Sequence, residues 1–279
     1  QDLVYSENAD VVLVNETWLN QDIKNEELFP TGFTVFRKDR EGRAGGGVLI
    51  AIKTESFKSA SEFLPDPATL QLSEQIEIVS SEVITNCNQK ILFSSIYWPD
   101  PDNKPENWLE KFNLFLDYAC DSYDNIVISG DFNLAYIPWD APAQTKGAKE
   151  ISFIESLNDH YLSQLNTFPT RGENVLDLVI TNKPDHLTVN EVLSPEQSGV
   201  FTDHNVVCFD FNAFVKAPNK SSRLVYNYAS ADWDGLRASL RAIGPSTVID
   251  GSDNVDIDTD WRNWKDTYLA AVADHVPKK

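Results

Sequence analysis

Short apolar runs that end abruptly in polar side chains recur through the first three quarters of this chain. Val11–Val14 leads directly into Asn15 and Glu16, and Ile126–Ser129 leads into Gly130–Asn133. Because a continuous apolar run is typical of a strand that is buried on both faces, each run predicts a buried strand. An unpaired charge is costly to bury, so the carboxylates that follow these strands need partners. The pattern predicts that several strand ends meet at one polar mouth.

Five segments share this pattern, and their convergence would create a pocket with a strong negative field. Oxygen ligands in such a pocket favour a hard divalent cation, above all Mg²⁺, with Mn²⁺ as the alternative. Taken singly, each segment is a weak signal, because a glutamate at a strand end is usually solvated and Gly130–Asn133 is also typical of a turn. The polar groups of the five segments are Asn15 with Glu16, Tyr97, Asp131 with Asn133, Asp177, and Asp203 with His204.

Asp177 differs from the other candidates because it interrupts an apolar stretch, Val175–Ile180. A carboxylate in that position is predicted to be buried and satisfied by a neighbour. His204 is a plausible partner, since a carboxylate that accepts from one imidazole nitrogen raises the basicity of the other. His160 and His186 show no such setting and are predicted to be surface or packing residues.

The order of predicted elements favours an α/β sandwich with predominantly antiparallel strand pairs. The strands and helices interleave without the strict strand–helix–strand rhythm of a doubly wound sheet. Gly45–Gly47 resembles a phosphate-binding loop but lacks the Lys-Ser/Thr pair, so it is predicted to be a turn that begins a strand. Strands are predicted at 11–14, 48–52, 75–85, 90–97, 126–129, 175–181, 187–193 and 206–211, and helices from Pro105 onward and at about 149–160, 230–242 and 259–275.

The charge balance opposes unassisted binding to nucleic acid. The formal net charge is -20, and residues 1–212 hold all of it, with 14 basic against 34 acidic side chains. Such a balance favours the binding of cations, so any contact with DNA would have to come from a few basic residues. The cluster Arg37, Lys38, Arg40 and Arg43 is as consistent with a solvated loop as with a DNA contact. No apolar run reaches the length of a bilayer span, so no membrane partner is predicted.

Together and in this order, the segments resemble the endonuclease/exonuclease/phosphatase superfamily. Within it they are most similar to the apurinic-type endonuclease domain of non-LTR (LINE-type) retrotransposons, over about residues 8–212. The matching stretches are Val14–Leu19 (VNETWL), Gly45–Ile50 (GGGVLI), Ser95–Pro99 (SIYWP), Ser129–Asn133 (SGDFN), Thr167–Arg171 (TFPTR) with Asn174–Asn182 (NVLDLVITN), and Thr202–His204 (TDH).

The resemblance implies a four-layer α/β/β/α sandwich of the DNase I type, and it also implies roles for individual residues. Glu16 would be the principal ligand of Mg²⁺, with Asp203 contributing to the metal site or to positioning. Asp131 would orient and deprotonate the attacking water, and Asn133 would hold that water and the phosphate. Tyr97 would donate a hydrogen bond to the phosphate, and Asp177 would orient His204, which would stabilise the negative charge that develops on the phosphate. Thr170 and Arg171 would bind the substrate.

The resemblance also implies a division of the chain and a larger context. Residues 1–213 would form the endonuclease-like domain, which lacks the family's first strand because the chain begins at Gln1, and which contains no methionine. Residues 214–279 would be a linker and helical connector of the kind that precedes a reverse transcriptase. The implied activity is nicking of one DNA strand in the nucleus, with a reverse transcriptase domain in the parent polyprotein as partner.

Two alternatives remain open on the sequence alone. A phosphatase or phosphodiesterase that acts on a small phosphate ester would keep the fold and the metal, and it suits the acidic surface. A truncated, catalytically inactive remnant would keep only the fold. The presence of Glu16, Asp131, Asn133, Asp177 and His204 opposes a long decay of the site.

Overall fold

The computed structural model describes residues 2–42, 44–63, 76–98, 108–212, 226–243 and 257–278. The chain separates into two compact units, Gln1–Val215 and Lys216–Lys279. The described strands of the first unit are β1 (Val11–Asn15), β2 (Phe33–Lys38), β3 (Val48–Lys53), β4 (Ser59–Glu62), β5 (Glu77–Ile84), β6 (Lys90–Tyr97), β7 (Ile126–Asp131), β8 (Ser163–Gln164), β9 (Asp177–Thr181), β10 (Leu187–Leu193) and β11 (Val206–Phe211). Its described helices are α1 (Asp2–Ser6), α2 (Asn25–Leu28), α3 (Trp108–Ser122), α4 (Ala148–Asp159) and α5 (Pro195–Ser198).

A six-stranded sheet with the order β4-β5-β6-β7-β9-β8 forms the centre of the first unit. Within the described strands, β6 and β7 form the parallel pair and all other neighbours in this sheet are antiparallel. Parallel neighbours require a crossover connection, and helix α3 lies in the connection between β6 and β7. The predicted predominance of antiparallel pairs is confirmed.

The central strands of the six-stranded sheet are buried on both faces, as the alternation along β7 illustrates. Ile126 and Ile128 pack with Phe112 of helix α3, whereas Val127 packs with Ile50 of β3 on the opposite face. Because successive side chains of a strand point to opposite faces, one continuous apolar strand fills two separate cores. β7, an apolar run that ends in polar groups, is therefore covered on both sides. The prediction that Val11–Val14 is buried on both faces is wrong, because every residue of β1 is only partly buried.

Two smaller sheets cover the second face of the central sheet. One has the order β1-β3-β2 and the other pairs β10 with β11, and all these pairs are antiparallel. Side chains of both smaller sheets, including Leu13, Val189 and Phe209, pack against the same apolar cluster as Val127. The predicted fold class, an α/β sandwich of the DNase I type with a helical C-terminal extension, is confirmed.

The boundaries of the predicted elements agree closely with those in the structure, but several short elements were not predicted, among them α2, β8 and α5. Asp177 begins β9 instead of interrupting it, because the preceding residues belong to the turn after Thr170. Strand β2 was missed, and β4 was missed because its sequence, SASE, is short and largely exposed. Pro105 and residues 213–225, where the predicted linker begins, lie outside the described residues.

The second unit has a small apolar core of its own. Its described helices, α6 (Trp233–Ala242) and α7 (Ile257–His275), bury Leu236, Ala271 and Val276. The Asp232 carboxylate caps helix α6 by accepting from the Gly235 N–H at 2.9 Å. In the described part of the chain, no helix has both the length and the apolar character that a bilayer span requires.

Candidate active site

Three polar side chains lie in one row across three neighbouring strands of the central sheet. Tyr97 of β6 is opposite Asp131 of β7, and Asp131 is opposite Asp177 of β9. Because residues at paired positions share a face of the sheet, the three side chains project to the same side. The sheet thus gathers a phenol and two carboxylates from distant parts of the sequence.

Glu16 joins this row from the smaller sheet, directly after β1. Its carboxylate accepts a hydrogen bond from the Tyr97 hydroxyl at 2.5 Å and another from the Trp18 indole N–H at 3.2 Å. The neighbouring Asn15 side-chain oxygen accepts from the Ser95 hydroxyl of β6 at 2.8 Å. The end of β1 is therefore fastened to the end of β6, and Glu16 is fixed beside Tyr97.

The surroundings of Tyr97 favour the protonated form of its hydroxyl. Its side chain is buried, and burial together with the neighbouring Glu16 carboxylate raises the pKa of Tyr97 far above its ordinary value. A phenol that stays protonated at physiological pH acts as a hydrogen-bond donor. Tyr97 donates to Glu16 in this structure and has the chemistry to donate to an anionic oxygen.

Asp131 is the most perturbed acid of the row, with only 4% of its surface exposed. Burial raises the pKa of Asp131 to about 7, and the nearby Asp177 and Glu16 carboxylates add to this, whereas His204 opposes it. Asn133 holds the Asp131 carboxylate with its backbone N–H at 3.0 Å and its side-chain Nδ2 at 2.9 Å. The same Nδ2 donates to the Trp98 carbonyl at 2.8 Å, so Asn133 and Asp131 are mutually fixed.

His204 lies at the other end of the row, where Asp177 holds its ring. The Asp177 Oδ2 atom is 2.8 Å from Nδ1 of His204, and both side chains are largely sheltered from solvent. This hydrogen bond raises the pKa of His204, although burial opposes the shift. The partnership that the sequence predicted for these two residues is present in the structure.

Thr170 and Arg171, the two predicted substrate-binding residues, have very different environments. Thr170 is fully buried, and its hydroxyl accepts from the N–H groups of Leu176 and Asp177, both at 3.0 Å. It therefore supports the start of β9 and the position of Asp177. Arg171 is exposed and lies 2.5 Å from the Asp203 carboxylate.

Asp203 is paired with Arg171 and not with the acids of the row. The structure brings Asp203 to Arg171 at the surface, next to His204 in sequence. The role of Asp203 as a metal ligand stays a prediction, as do the substrate contacts of Thr170 and Arg171.

The basic cluster at the end of β2 and just after it is mostly held within the protein. Arg37 donates to the carbonyls of Asn20 and Ile23 and pairs with Asp39 at 3.2 Å. Arg40 forms an ion pair with Glu77, and both side chains are largely buried. These arginines are therefore neutralised by acids, and Arg43 lies outside the described residues.

Two residues at the site were missed by the sequence analysis. Trp18 donates to Glu16 and is only two residues away from it in sequence. The closeness of an indole N–H to a candidate ligand was the signal that could have identified Trp18. Glu77 begins β5 opposite Tyr97 and binds Arg40 and the Gly47 N–H. No local pattern distinguishes Glu77 from a solvated acid, because its partners are 37 and 30 residues away.

The donor chemistry of the row fits a hard divalent cation. Glu16 and Asp131 offer carboxylate oxygens and Asn133 offers an amide oxygen, which are the ligand types that Mg²⁺ prefers. Burial, with the repulsion of the Asp177 and Glu16 carboxylates added to it, raises the pKa of Asp131 even though His204 opposes the shift, so a negative charge is disfavoured at this position. A bound cation would relieve this repulsion, so the residues present are suited to Mg²⁺.

Comparisons with known proteins agree with this fold. The family model described as endonuclease-reverse transcriptase matches residues 91–213. A comparison with curated proteins gives no significant sequence match.

Several solved structures are similar in fold. The 3′ phosphatase NExo from Neisseria, bound to product DNA hairpin, has a TM-score of 0.55 at 17% identity, covering 77% of this chain and 93% of that chain. An AP endonuclease from Archaeoglobus fulgidus has a TM-score of 0.54 at 14% identity, covering 76% and 92%. The APE2 catalytic domain of Xenopus laevis has a TM-score of 0.52 at 13% identity, covering 77% and 88%.

The structural likenesses have low sequence identity, so they establish the fold and leave the activity to the site itself. The names of two of these proteins describe a 3′ phosphatase and an AP endonuclease. The family model covers β6 through β11, the part of the chain that supplies Tyr97, Asp131, Asp177 and His204. The chain therefore has the fold of the endonuclease/exonuclease/phosphatase superfamily.

Proposed function

We propose that this protein hydrolyses phosphodiester bonds in DNA with Mg²⁺, nicking one strand and leaving a 3′ hydroxyl. The observation that carries the proposal is the row Tyr97–Asp131–Asp177, with Glu16 held at one end and His204 at the other. The row and the residues at its ends combine a protonated phenol (Tyr97), a buried carboxylate with a pKa near neutrality (Asp131) and an oriented imidazole (His204). These are the groups that hydrolysis of a phosphate ester requires.

Asp131 is the proposed general base. A base is most effective when its pKa lies near the working pH, and burial places the pKa of Asp131 at about 7. Asn133 fixes both oxygens of the Asp131 carboxylate through its backbone and side-chain nitrogens. Asp131 would accept the proton of a water molecule as that water attacks phosphorus.

His204 and Tyr97 are the proposed donors to the phosphate. The Asp177 carboxylate accepts from Nδ1 of His204, which leaves Nε2 as the nitrogen that can donate elsewhere. The raised pKa of His204 favours its cationic form, which stabilises the negative charge that develops on phosphate oxygens. Tyr97 keeps its proton, and its single O–H, which donates to Glu16 in this structure, would turn to the bound phosphate as the second donor.

Glu16 is the proposed principal ligand of Mg²⁺, with Mn²⁺ as a substitute and Asp203 as a further contributor. When bound, the cation would neutralise phosphate charge and act as a Lewis acid. Trp18 and Tyr97 each donate to one oxygen of Glu16, so they fix the orientation of this carboxylate. Fixed ligands of this kind reduce the entropy that metal binding costs.

We further propose that the chain is the endonuclease part of a LINE-type retrotransposon polyprotein, acting in the nucleus beside a reverse transcriptase. The description of the matching family, endonuclease-reverse transcriptase, supports this assignment. A nick with a 3′ hydroxyl would supply a primer for the polymerase. The second unit, Lys216–Lys279, would then be the connector between the two activities.

The test is the conversion of supercoiled plasmid to nicked circles by the full chain, with Mg²⁺ and with a chelator. The nicks are then offered to a DNA polymerase with labelled nucleotides. Nicking that requires Mg²⁺ and yields extendable ends is the expected result. Nicks that the polymerase cannot extend would contradict the proposed 3′ hydroxyl, and intact plasmid from folded protein would contradict the DNA substrate.

A second candidate, a phosphatase acting on a small phosphate ester, has one observation in its favour. Arg37, Arg40 and Arg171 are each paired with a carboxylate, which weakens the attraction of the site for a polyanion. The same protein is assayed with p-nitrophenyl phosphate and with a 3′-phosphorylated oligonucleotide. Release of phosphate without nicking would favour this candidate over the endonuclease.

A further inference from the structure

The turn that carries Glu16 has an unfavourable backbone conformation. Glu16 has a φ of 50° and Trp18 a φ of 54°, both in the left-handed region. Non-glycine residues adopt this region at an energetic cost, so contacts from elsewhere in the protein must hold them there. Glu16 and Trp18 are also the residues that make the hydrogen bond at 3.2 Å between indole and carboxylate.

Gly45–Gly47 supplies the contacts that hold this turn. The N–H of Thr17 donates to the Gly47 carbonyl at 3.2 Å, and the N–H of Trp18 donates to the Gly46 carbonyl at 2.8 Å. All three glycines have positive φ, 86°, 70° and 88° in order. A side chain at Gly46 would overlap the Arg40 guanidinium, so the glycine turn is closely packed against Arg40.

Glu77 in turn holds the glycines. One carboxylate oxygen accepts from the Gly47 N–H at 2.6 Å, and the other accepts from Nε of Arg40. The Glu77 and Arg40 side chains are 14% and 13% exposed, so this ion pair is well sheltered. Glu77 is also paired with Tyr97 in the β5–β6 register, and the Arg40 guanidinium lies 5.6 Å from the centre of the Tyr97 ring.

We propose that Glu77 is a positioning residue for the metal ligand Glu16, acting through Gly47 and Arg40. Glu77 fixes the glycine turn, the turn fixes the backbone of Glu16–Trp18, and Trp18 and Tyr97 orient the Glu16 carboxylate. A sheltered carboxylate suits this task because it balances the charge of Arg40 while it accepts from Gly47. The inference rests on the proposed function only where it takes Glu16 to be a Mg²⁺ ligand.

The experiment follows the Trp18 indole N–H by ¹⁵N NMR of the full chain labelled on tryptophan, with the resonance identified by its loss in Trp18→Phe. Glu77→Gln keeps an acceptor for Gly47 but removes the charge that Arg40 requires. Glu82→Gln is the matched control, because Glu82 is also on β5 and also binds one cation and one further donor, Lys90 and Tyr123. Each variant is titrated with Mg²⁺ alone.

In Glu77→Gln we expect the Trp18 resonance of the metal-free protein to move or broaden. We also expect the Mg²⁺ concentration at half-saturation to rise by about tenfold, the usual cost of losing a residue that orients a ligand. Glu82→Gln should leave both values unchanged. An unaltered Trp18 resonance and unaltered Mg²⁺ response in folded Glu77→Gln would overturn the proposal.

The two proposals fail in different ways. If Mg²⁺ does not move the Trp18 resonance of the wild-type protein, the metal role of Glu16 is wrong. The metal-free comparison still tests the positioning role, because it requires no ion. If Glu77→Gln does not fold, Glu77→Asp replaces it, and a Trp18 resonance identical to that of the wild type would then overturn the positioning role.

Discussion

Asp177 Oδ2 and His204 Nδ1 lie 2.8 Å apart, in a pair that is largely sheltered from solvent. With Nδ1 of His204 bonded to Asp177, Nε2 is the nitrogen that would meet the phosphate in the proposed reaction. The same carboxylate also raises the pKa of its neighbour Asp131. One acid thus adjusts both the proposed base and the proposed phosphate donor.

Replacing Asp177 by Asn should move the whole pH profile of kcat to lower pH. Asp131 must be deprotonated, and losing the Asp177 charge lowers the pKa of Asp131, which moves the acidic limb down. His204 must be protonated, and losing the same charge lowers the pKa of His204, which moves the basic limb down. The rate at the optimum should also fall by about 10²-fold, since a donor is misoriented.

The control for this profile is Asp185→Asn, because Asp185 is an exposed acid outside the row. Asp185→Asn should leave the acidic and basic limbs of the pH profile of kcat unchanged. An Asp177→Asn profile with unmoved limbs would contradict the assignment of Asp131 and His204 as the titrating groups.

Asp131→Asn should make the protein less active and more stable. Loss of a general base lowers kcat by about 10²- to 10⁴-fold. The pKa of Asp131 is raised in the folded state, so the folded protein binds this proton more tightly than the unfolded chain does. The contribution of Asp131 to stability therefore falls as pH rises from about 4 to about 7.

Thermal unfolding without metal measures this effect. At pH 8 the Tm of Asp131→Asn should exceed that of the wild-type protein, by about 2–4 °C for each kcal/mol gained. At pH 4 the two values should converge, because the wild-type side chain is then neutral as well. A lower Tm for the variant at pH 8 would show that the buried charge is compensated in the wild-type protein.

Mg²⁺ should stabilise the wild-type protein but not Glu16→Gln. A ligand that binds only the folded state adds about 2.7 kcal/mol when its concentration is 100 times its Kd. The measurement is Tm against Mg²⁺ concentration, with Glu26→Gln, an exposed acid of helix α2, as the control. Equal Mg²⁺ shifts in the wild-type protein and Glu16→Gln would exclude Glu16 as the principal ligand.

Asp203→Asn should separate the two roles open to Asp203. If Asp203 mainly neutralises Arg171, its loss frees one cation, and DNA binds more tightly with a salt slope steeper by about 1. If Asp203 mainly holds the metal, DNA binding without metal is unchanged and the Mg²⁺ requirement rises. DNA affinity measured at several salt concentrations, with a chelator present, decides between these outcomes.

Most of the fold could be predicted because its strands are continuous apolar runs. β3 and β7 consist almost entirely of buried residues, so their sequences are mostly apolar, and β1 is apolar although it is only partly buried. The partnership of Asp177 with His204 was predictable for the same reason, since a carboxylate beside an apolar strand requires a partner. β4, which is short and exposed, carried no such signal.

The support of the site could not be predicted, because it depends on long-range pairing. Glu77 matters only because β5 places it opposite Tyr97 and beside Gly47 and Arg40. The burial of Thr170 likewise follows from the turn that folds it onto Asp177. Sequence spacing indicates the strand ends, whereas these contacts depend on register.

Asp131 and His204 are proposed to act together in cleaving a phosphodiester bond. The most direct measurement is the single-turnover rate of plasmid nicking with Mg²⁺ for the wild-type protein, Asp131→Ala, His204→Ala and the control Asp185→Ala. We predict that each of the two site variants loses at least about 10²-fold in rate while the control keeps the wild-type rate. Nicking at the wild-type rate by either site variant would contradict the proposed role of the residue that was replaced.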